Sequence, residues 1–284
     1  MLFLDVRFPC GGTAGVGDPA LLDRVGIPLV HALPDVGSNL QDHLQLRLVY
    51  RLLRDGGGGT INERSHSLLW RARMLAQYAL HRSGPLSMAP SQMAAFARSA
   101  PGVPTPDLEF HIQPLSLDSL GVFPPALHAA PGITVSVCNL RPTSRGSVTV
   151  VSRDPRVAPE IAVNYLATAS DRDVAVRSLR LARAIVGGRA LAPYAPEESP
   201  ATAGAASDTE LLHAAGNIGA SIFHPVGTCA MGSVVDSRLR VNGVDRLRVV
   251  DGSVMPTITS GNTATPIMMI AEKAARDIVE DDRL

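Results

Sequence analysis

Leu44-Gln45-Leu46-Arg47-Leu48-Val49-Tyr50-Arg51-Leu52 alternates large apolar with polar side chains. Successive side chains of a strand point to opposite faces, so the leucines at 44, 46, 48 and 52 with Tyr50 would share a buried face. Gln45, Arg47 and Arg51 would form a wet one. The same reading gives strands at Leu108-Phe110-Ile112, Ile133-Val135-Val137 and Val148-Val150, the last two separated by the turn-like Arg141-Pro142-Thr143-Ser144-Arg145-Gly146. An antiparallel sheet is the expected scaffold.

Helices are expected on either side of these strands. Asp18 can cap and Pro19 can open a short helix that Gly26 ends, with a strand following over Ile27 to Leu33. Leu68, Leu69, Ala72, Leu75, Ala76 and Ala79 recur at helical spacing until Gly84-Pro85, predicting one amphipathic helix. A longer helix starts at Ser170 or Asp171 and runs to Gly187-Gly188, and Ser207 with Glu210 has capping-box spacing before another. Between them, the Pro-, Ala- and Gly-rich stretch Ala192 to Ala206 reads as a surface loop, as Gly56 to Gly59 reads as a break. A strand over Leu247 to Val250 and a helix from about Thr263–Pro266 to Glu280 close the chain. Pro266 suits a first turn.

Composition narrows the function classes. With 26 basic and 26 acidic residues the formal net charge is zero, so no broad field favours nucleic acid or an anionic membrane. Cys10, Cys138 and Cys229 are few and widely spaced, which fits neither a disulfide framework nor a CxxC metal site, and no metal is expected. No apolar run approaches the ~20 residues of a membrane span, and Asp5 and Arg7 interrupt the opening segment before it reaches signal-peptide length. A cytoplasmic protein is expected.

Four segments carry chemistry: Leu33-Pro34-Asp35-Val36-Gly37-Ser38-Asn39-Leu40-Gln41-Asp42-His43; His224-Pro225-Val226-Gly227-Thr228-Cys229-Ala230-Met231-Gly232; Val249-Val250-Asp251-Gly252-Ser253; and Ser260-Gly261-Asn262-Thr263-Ala264-Thr265-Pro266. Read singly they are unremarkable. His224 could be a loop histidine satisfied by backbone, Asn262 a turn or cap residue, Asp251-Gly252 a strand-ending turn, and Asn39 and His43 residues that cap and turn the chain. In this order and spacing they resemble the C-terminal part of the glucose-methanol-choline (GMC) family of FAD-dependent oxidoreductases, in a choline and alcohol dehydrogenase-like branch. The resemblance runs from about Gly15 to the C-terminus, and Asp35 stands where the family pattern usually has Gly.

The resemblance implies a mixed α+β fold in two parts. Residues 43–221 would form an antiparallel-sheet substrate-binding domain with flanking helices. Residues 1–42 and 222–284 would pack together as part of an FAD-binding domain that lacks the N-terminal Rossmann βαβ unit. The implied reaction oxidises an alcohol to an aldehyde or ketone and passes hydride to flavin N5. His224 would be the base and Asn262 the clamp on the alcohol oxygen, because an imidazole titrates near working pH and an amide can donate to the same atom. Asp251, Gly252, Thr263, Asn39 and His43 would lie along the FAD. The unpaired N–H groups at the start of the last helix would suit negative charge on the flavin.

The expected partners are a small-molecule alcohol and a separately encoded half that carries the Gly-rich flavin loop. The alternative is a truncated, non-catalytic remnant or a substrate-binding module without flavin. Two other readings fare worse. Gly15-Val16-Gly17-Asp18-Pro19-Ala20 matches GxGxxA with Asp35 at the ribose-binding offset, but no buried strand leads into it. No GxSxG elbow marks a serine hydrolase. With Trp70 the only tryptophan, no aromatic cage for a quaternary ammonium is evident.

Overall fold

The computed structural model describes residues 14–54, 60–89, 91–117 and 126–281. Cys10 and the Gly56–Gly59 break lie outside them. In chain order the elements are β1 (Val16–Gly17), α1 (Pro19–Arg24), β2 (His31–Ala32), β3 (Leu44–Leu52), α2 (Ile61–Ser65), α3 (Leu68–His81), β4 (Met93–Ala97), β5 (Leu108–Gln113) and β6 (Gly132–Asn139). There follow β7 (Ser147–Thr149), β8 (Glu160–Ala162), α4 (Ala169–Val186), β9 (Pro196–Glu198), α5 (Pro200–Ala203), α6 (Asp208–Ile218), β10 (Gly219–Ser221) and α7 (Ala264–Asp281). The fold is mixed α and β around an antiparallel sheet.

The chain divides into two units. One holds the described residues up to His43, then Leu140–Asp171, then Ser221 onward; the other holds Leu44–Asn139 and Arg172–Ala220. The segment 140–171 thus groups with the two ends, whereas the sequence reading had placed it in the middle domain.

The second unit is built on a six-stranded sheet of order β10-β3-β6-β5-β4, with β9 also paired to β3. Register explains its two faces. Leu46 pairs with Val137, which pairs with Phe110, and Leu48 with Val135, which pairs with Ile112. Leu48, Phe110 and Val137 are fully buried, each worth ~1.5–3 kcal/mol of transfer from water. α6 packs on β3 and buries Leu211, Ala214 and Ala215.

The other face is not wet as expected. It aligns Gln45 with Cys138 and Glu109, and Arg47 with Ser136 and His111. Gln45 and Glu109 are buried, and burial of polar groups requires partners. They find them in a chain running from Arg47 Nε to Gln45 Oε1 (2.9 Å), from Gln45 Nε2 to His111 Nδ1 (3.0 Å) and from His111 Nε2 to Glu109 Oε1 (3.0 Å).

Several expectations change in detail. α3 forms where the leucine periodicity predicts, but Leu68, Leu69, Leu75 and Leu80 are all exposed, so its apolar stripe has no cover among the described residues. The expected loop over 192–206 contains β9 and α5. Arg183 is the cause: its guanidinium binds Glu198 through Nε and Nη2, each at 3.0 Å, and donates to the carbonyls of Thr202 (2.7 Å) and Ala205 (2.6 Å). The strand expected at Leu247–Val250 is reduced to an isolated bridge between Arg240 and Arg248. Ser207 and Glu210 form the capping box that their spacing predicts.

In the first unit, β1 and β2 pair in parallel across α1, whose cap Asp18 accepts from the Ala20 amide at 2.9 Å. β7 pairs with β8 in a separate two-stranded sheet instead of joining the large one. Val16 and Leu33 share a core with Cys229, Val234, Val235, Leu239, Val241, Val254 and Ala274, so the N-terminal segment and α7 are parts of one packed body.

α4 begins on a buried carboxylate. Asp171 accepts from the Thr143 amide (2.9 Å), the Thr143 hydroxyl (3.0 Å) and the Ser144 amide (2.7 Å). Burial pushes this carboxyl up, but the hydrogen bonds from Ser144 and Thr143 outweigh it and hold it below the usual aspartate value. A depressed folded-state value means stabilisation that is present above the unfolded value of about 3.9 and lost as pH falls through the folded one. Asp171→Asn is therefore expected to lower stability by about 2 kcal/mol at neutral pH. In urea titrations across pH, the gap between variant and parent closes in the acid range; a gap independent of pH refutes the assignment.

Candidate active site

The His224 segment is fixed from two sides within the first unit. Gln41 and Val226 exchange backbone hydrogen bonds, each 2.9 Å, which lays residues 39–43 beside 224–227. Gly227 has φ +100°, and a side chain there would strike the Asn39 carbonyl at 2.3 Å, so only glycine allows this approach. Asn39, itself left-handed at φ 60°, donates its amide to the carbonyls of Gly227 and Pro256, each at 3.3 Å. Gln41 donates to the Pro256 carbonyl (3.1 Å) and accepts from the Ile258 amide (3.2 Å). Asn39 and Gln41 therefore staple the loop at 256–258 to the segment 224–227.

Asp42 is the hub. One carboxylate oxygen accepts from the His43 amide (2.9 Å) and from the His224 amide (3.0 Å), and the other accepts from the Tyr165 hydroxyl. Burial, then the Asp42 charge, push the Tyr165 phenol up, so it is a neutral donor throughout the working pH range. His43 is fully buried, with Nδ1 3.0 Å from Nδ1 of His224 and Nε2 3.3 Å from the Leu140 carbonyl. The two rings meet edge to face, 5.2 Å between centroids at 83°. His43 is thus enclosed by protein and held against His224 and the Leu140 carbonyl.

The remaining candidates meet at a turn. Asp251 caps a short turn by accepting from the Ser253 amide at 2.8 Å, and its own side chain is exposed. Gly252 is buried: an added Cβ would lie 3.0 Å from Ile267 Cδ1 and 3.4 Å from the Pro225 carbonyl. The backbone continues against the same segment, Cys229 donating to Ser253 and Met231 to Val254, both 2.9 Å. Val226, Met255 and Ile258 pack with Ile267 and Ile270 of α7. Thr263 is buried just before α7 and its carbonyl accepts from the Ile267 amide (3.0 Å), while Asn262, Ala264 and Thr265 are exposed. The Pro225–Val226 segment, the Gly252 turn and Ile267 of α7 therefore pack against one another.

The sequence reading missed Asp42, Tyr165 and Gln41. Asp42 sat inside a quoted segment without a role, and nothing near Tyr165 in sequence marks it. A cleft of about 940 Å³ lies elsewhere, lined by Asp236, Arg240, Arg246, Arg248, Ile278 and Asp281 at the far end of α7 from Asn262. Its charges are largely spent on one another, as in Arg240 Nε to Asp236 (2.8 Å) and Arg248 to Asp281, so it is set apart from this chemistry. Among the described residues no cluster of His, Cys, Asp and Glu could hold a metal ion, and no helix is long and apolar enough to cross a membrane.

Comparison with known proteins gives the family. The family model described as GMC oxidoreductase matches residues 142–271. An alcohol dehydrogenase [acceptor] of Pseudomonas putida is 36% identical over 94% of this chain. The chain belongs to the GMC oxidoreductase family. An oxygen-dependent choline dehydrogenase of Pseudomonas fluorescens is 35% identical over 93% of it. This GMC chain covers 48% and 46% of those two relatives, about half their length. Among solved structures, a variant of formate oxidase from Aspergillus oryzae, studied for FAD modification, superposes with a TM-score of 0.85 at 24% identity, over 96% of this chain and 52% of that one. At that identity the likeness speaks for the fold. The GMC match includes His224, Asp251, Gly252, Asn262 and Thr263, and it stops short of Asn39 and His43.

Proposed function

We propose that this chain supplies the proton-handling part of an FAD-dependent oxidation of an alcohol to an aldehyde or ketone. His224 takes the hydroxyl proton, and Asn262 donates to the same oxygen. The observation that supports the reading is the Gly252 turn seated between the Pro225 carbonyl and Ile267, which packs the segment following His224 against the first turns of α7. An imidazole and an exposed carboxamide on those two segments are the groups that removal of a hydroxyl proton requires.

The residues fit a flavin. The first turn of a helix offers N–H groups that helical geometry leaves unpaired, with the positive end of the dipole behind them. α7 presents that turn at exposed Asn262, Ala264 and Thr265, beside a glycine that adds no side chain. Asp251, Gly252 and Thr263 would hold the cofactor. Bound FAD supplies the hydride acceptor. Asn39 acts at one remove, its amide committed to the Gly227 and Pro256 carbonyls. The substrate class is a small alcohol, supported by the similarity to an alcohol dehydrogenase and a choline dehydrogenase.

A second polypeptide would carry the Gly-rich flavin loop. α7 supports this: besides its buried stripe it bears an exposed one, Ala264, Met268, Ala271, Ala275 and Ile278, at the spacing of a helix-packing seam. The test is to co-purify the chain with the N-terminal half of the Pseudomonas putida relative and record the visible spectrum. A flavin band that an alcohol bleaches without oxygen is expected. A colourless pair in excess FAD would favour the non-catalytic remnant, and a band that no alcohol bleaches would remove the proposed reaction.

A further inference from the structure

We infer that His43 is a positioning residue that fixes which nitrogen of His224 is basic. The chemistry of the contacts dictates the assignment. The Leu140 carbonyl can only accept, so His43 Nε2, 3.3 Å away, carries a hydrogen. A neutral imidazole has one N–H, which leaves His43 Nδ1 as an acceptor. His43 is fully buried, and burial disfavours a charged ring. His224 Nδ1, 3.0 Å from that acceptor, must then be the donor. A neutral His224 with its hydrogen on Nδ1 presents its lone pair at Nε2, on the opposite edge of the ring. Free imidazole side chains favour the reverse, with hydrogen on Nε2.

Asp42 makes the arrangement rigid without taking part in it. Its carboxylate holds the backbone amides of both His43 and His224 and is itself held by Tyr165, so the two rings hang from one anchored point. Asp42 is bonded to the backbone amides that carry this pair, and Tyr165 is bonded to Asp42. When Nε2 of His224 accepts the hydroxyl proton, the alcohol O–H bond breaks and an N–H bond forms. The Nδ1–H···Nδ1 bond to His43 then becomes charge-assisted, hence shorter and stronger. His43 thus selects the reactive tautomer and also steadies the proton after transfer.

The inference rests on His224 as the base, yet its test does not need turnover. Nitrogen-15 histidine spectra of the chain alone, above the pH at which imidazoles titrate, read each ring's tautomer, with His224→Gln assigning the signal. His224 protonated at Nδ1 and His43 protonated at Nε2 are expected. His43→Leu should convert His224 to a population dominated by Nε2–H, whereas His43→Asn, whose amide oxygen can accept near the former Nδ1, should retain Nδ1–H. Finding Nε2–H on His224 in the parent chain overturns the inference even if His43→Leu fails to fold. So does an unchanged tautomer in a folded His43→Leu. Loss of alcohol oxidation with the Nδ1–H tautomer intact would count against the proposed function and leave the positioning role standing.

Discussion

His224→Gln, in a protein assembled from this chain and a flavin-holding half, is expected to lower kcat/KM for an alcohol by a factor on the order of 10²–10⁴. Glutamine keeps a polar side chain of similar reach but has no nitrogen that accepts a proton near neutral pH. The flavin spectrum should stay as in the parent, because Asp251, Gly252 and Thr263 are untouched and the His224 backbone amide still donates to Asp42. The pH profile adds a second readout: a limb due to a basic group in the parent should disappear in the variant. If the variant turns over alcohol within threefold of the parent at equal flavin content, another group takes the proton and the assignment of His224 is wrong.

Local periodicity carried much of the architecture. The alternation at Leu44–Leu52 is visible because a strand repeats every two residues, and Ser207 with Glu210 is visible because a cap acts over three. What periodicity could not supply was partnership. The pattern at Val148-Val150 gives a strand, but β8, its partner, is the short Glu-Ile-Ala run with no signal of its own. Met93–Ala97 has no alternation to detect and lies at an edge with four of its five residues exposed. The polar side of β3 looked wet because its hydrogen-bond partners lie far along the chain; Gln45 and His111 are 66 positions apart.

The site divides in the same way. His224, Asn262, Asp251 and Gly252 lie in compact segments whose order and spacing resemble a known family, and that is why the sequence offers them as candidates. Asp42 and Tyr165 could not, because their roles exist only through contacts 182 and 123 positions apart. His43 could be named from its segment, but its contacts with His224 and the Leu140 carbonyl could not. The Gln41–Val226 bridge lays two segments far apart in sequence side by side, and the His43 ring meets His224 and the Leu140 carbonyl.

Asp42→Ala should have the largest effect on stability in the first unit. Asp42 is 6% exposed and accepts three hydrogen bonds, two from backbone amides and one from Tyr165. Alanine strands all three donors where water has little access, and each unpaired buried donor costs ~1–3 kcal/mol. A loss of about 3–5 kcal/mol is expected, read as a shift in the urea midpoint of a probe placed in this unit. Asp42→Asn tests whether geometry or charge is responsible. Its remaining oxygen can still accept from the amides of His43 and His224, and its amide can donate to the Tyr165 oxygen, so a loss of only about 1 kcal/mol is expected. Tyr165→Phe removes a single bond and should cost a similar amount. If alanine and asparagine lower stability equally, the carboxylate's charge matters more than its hydrogen bonds. If alanine costs under about 0.5 kcal/mol, the level of an ordinary surface change, Asp42 does not anchor the two histidines.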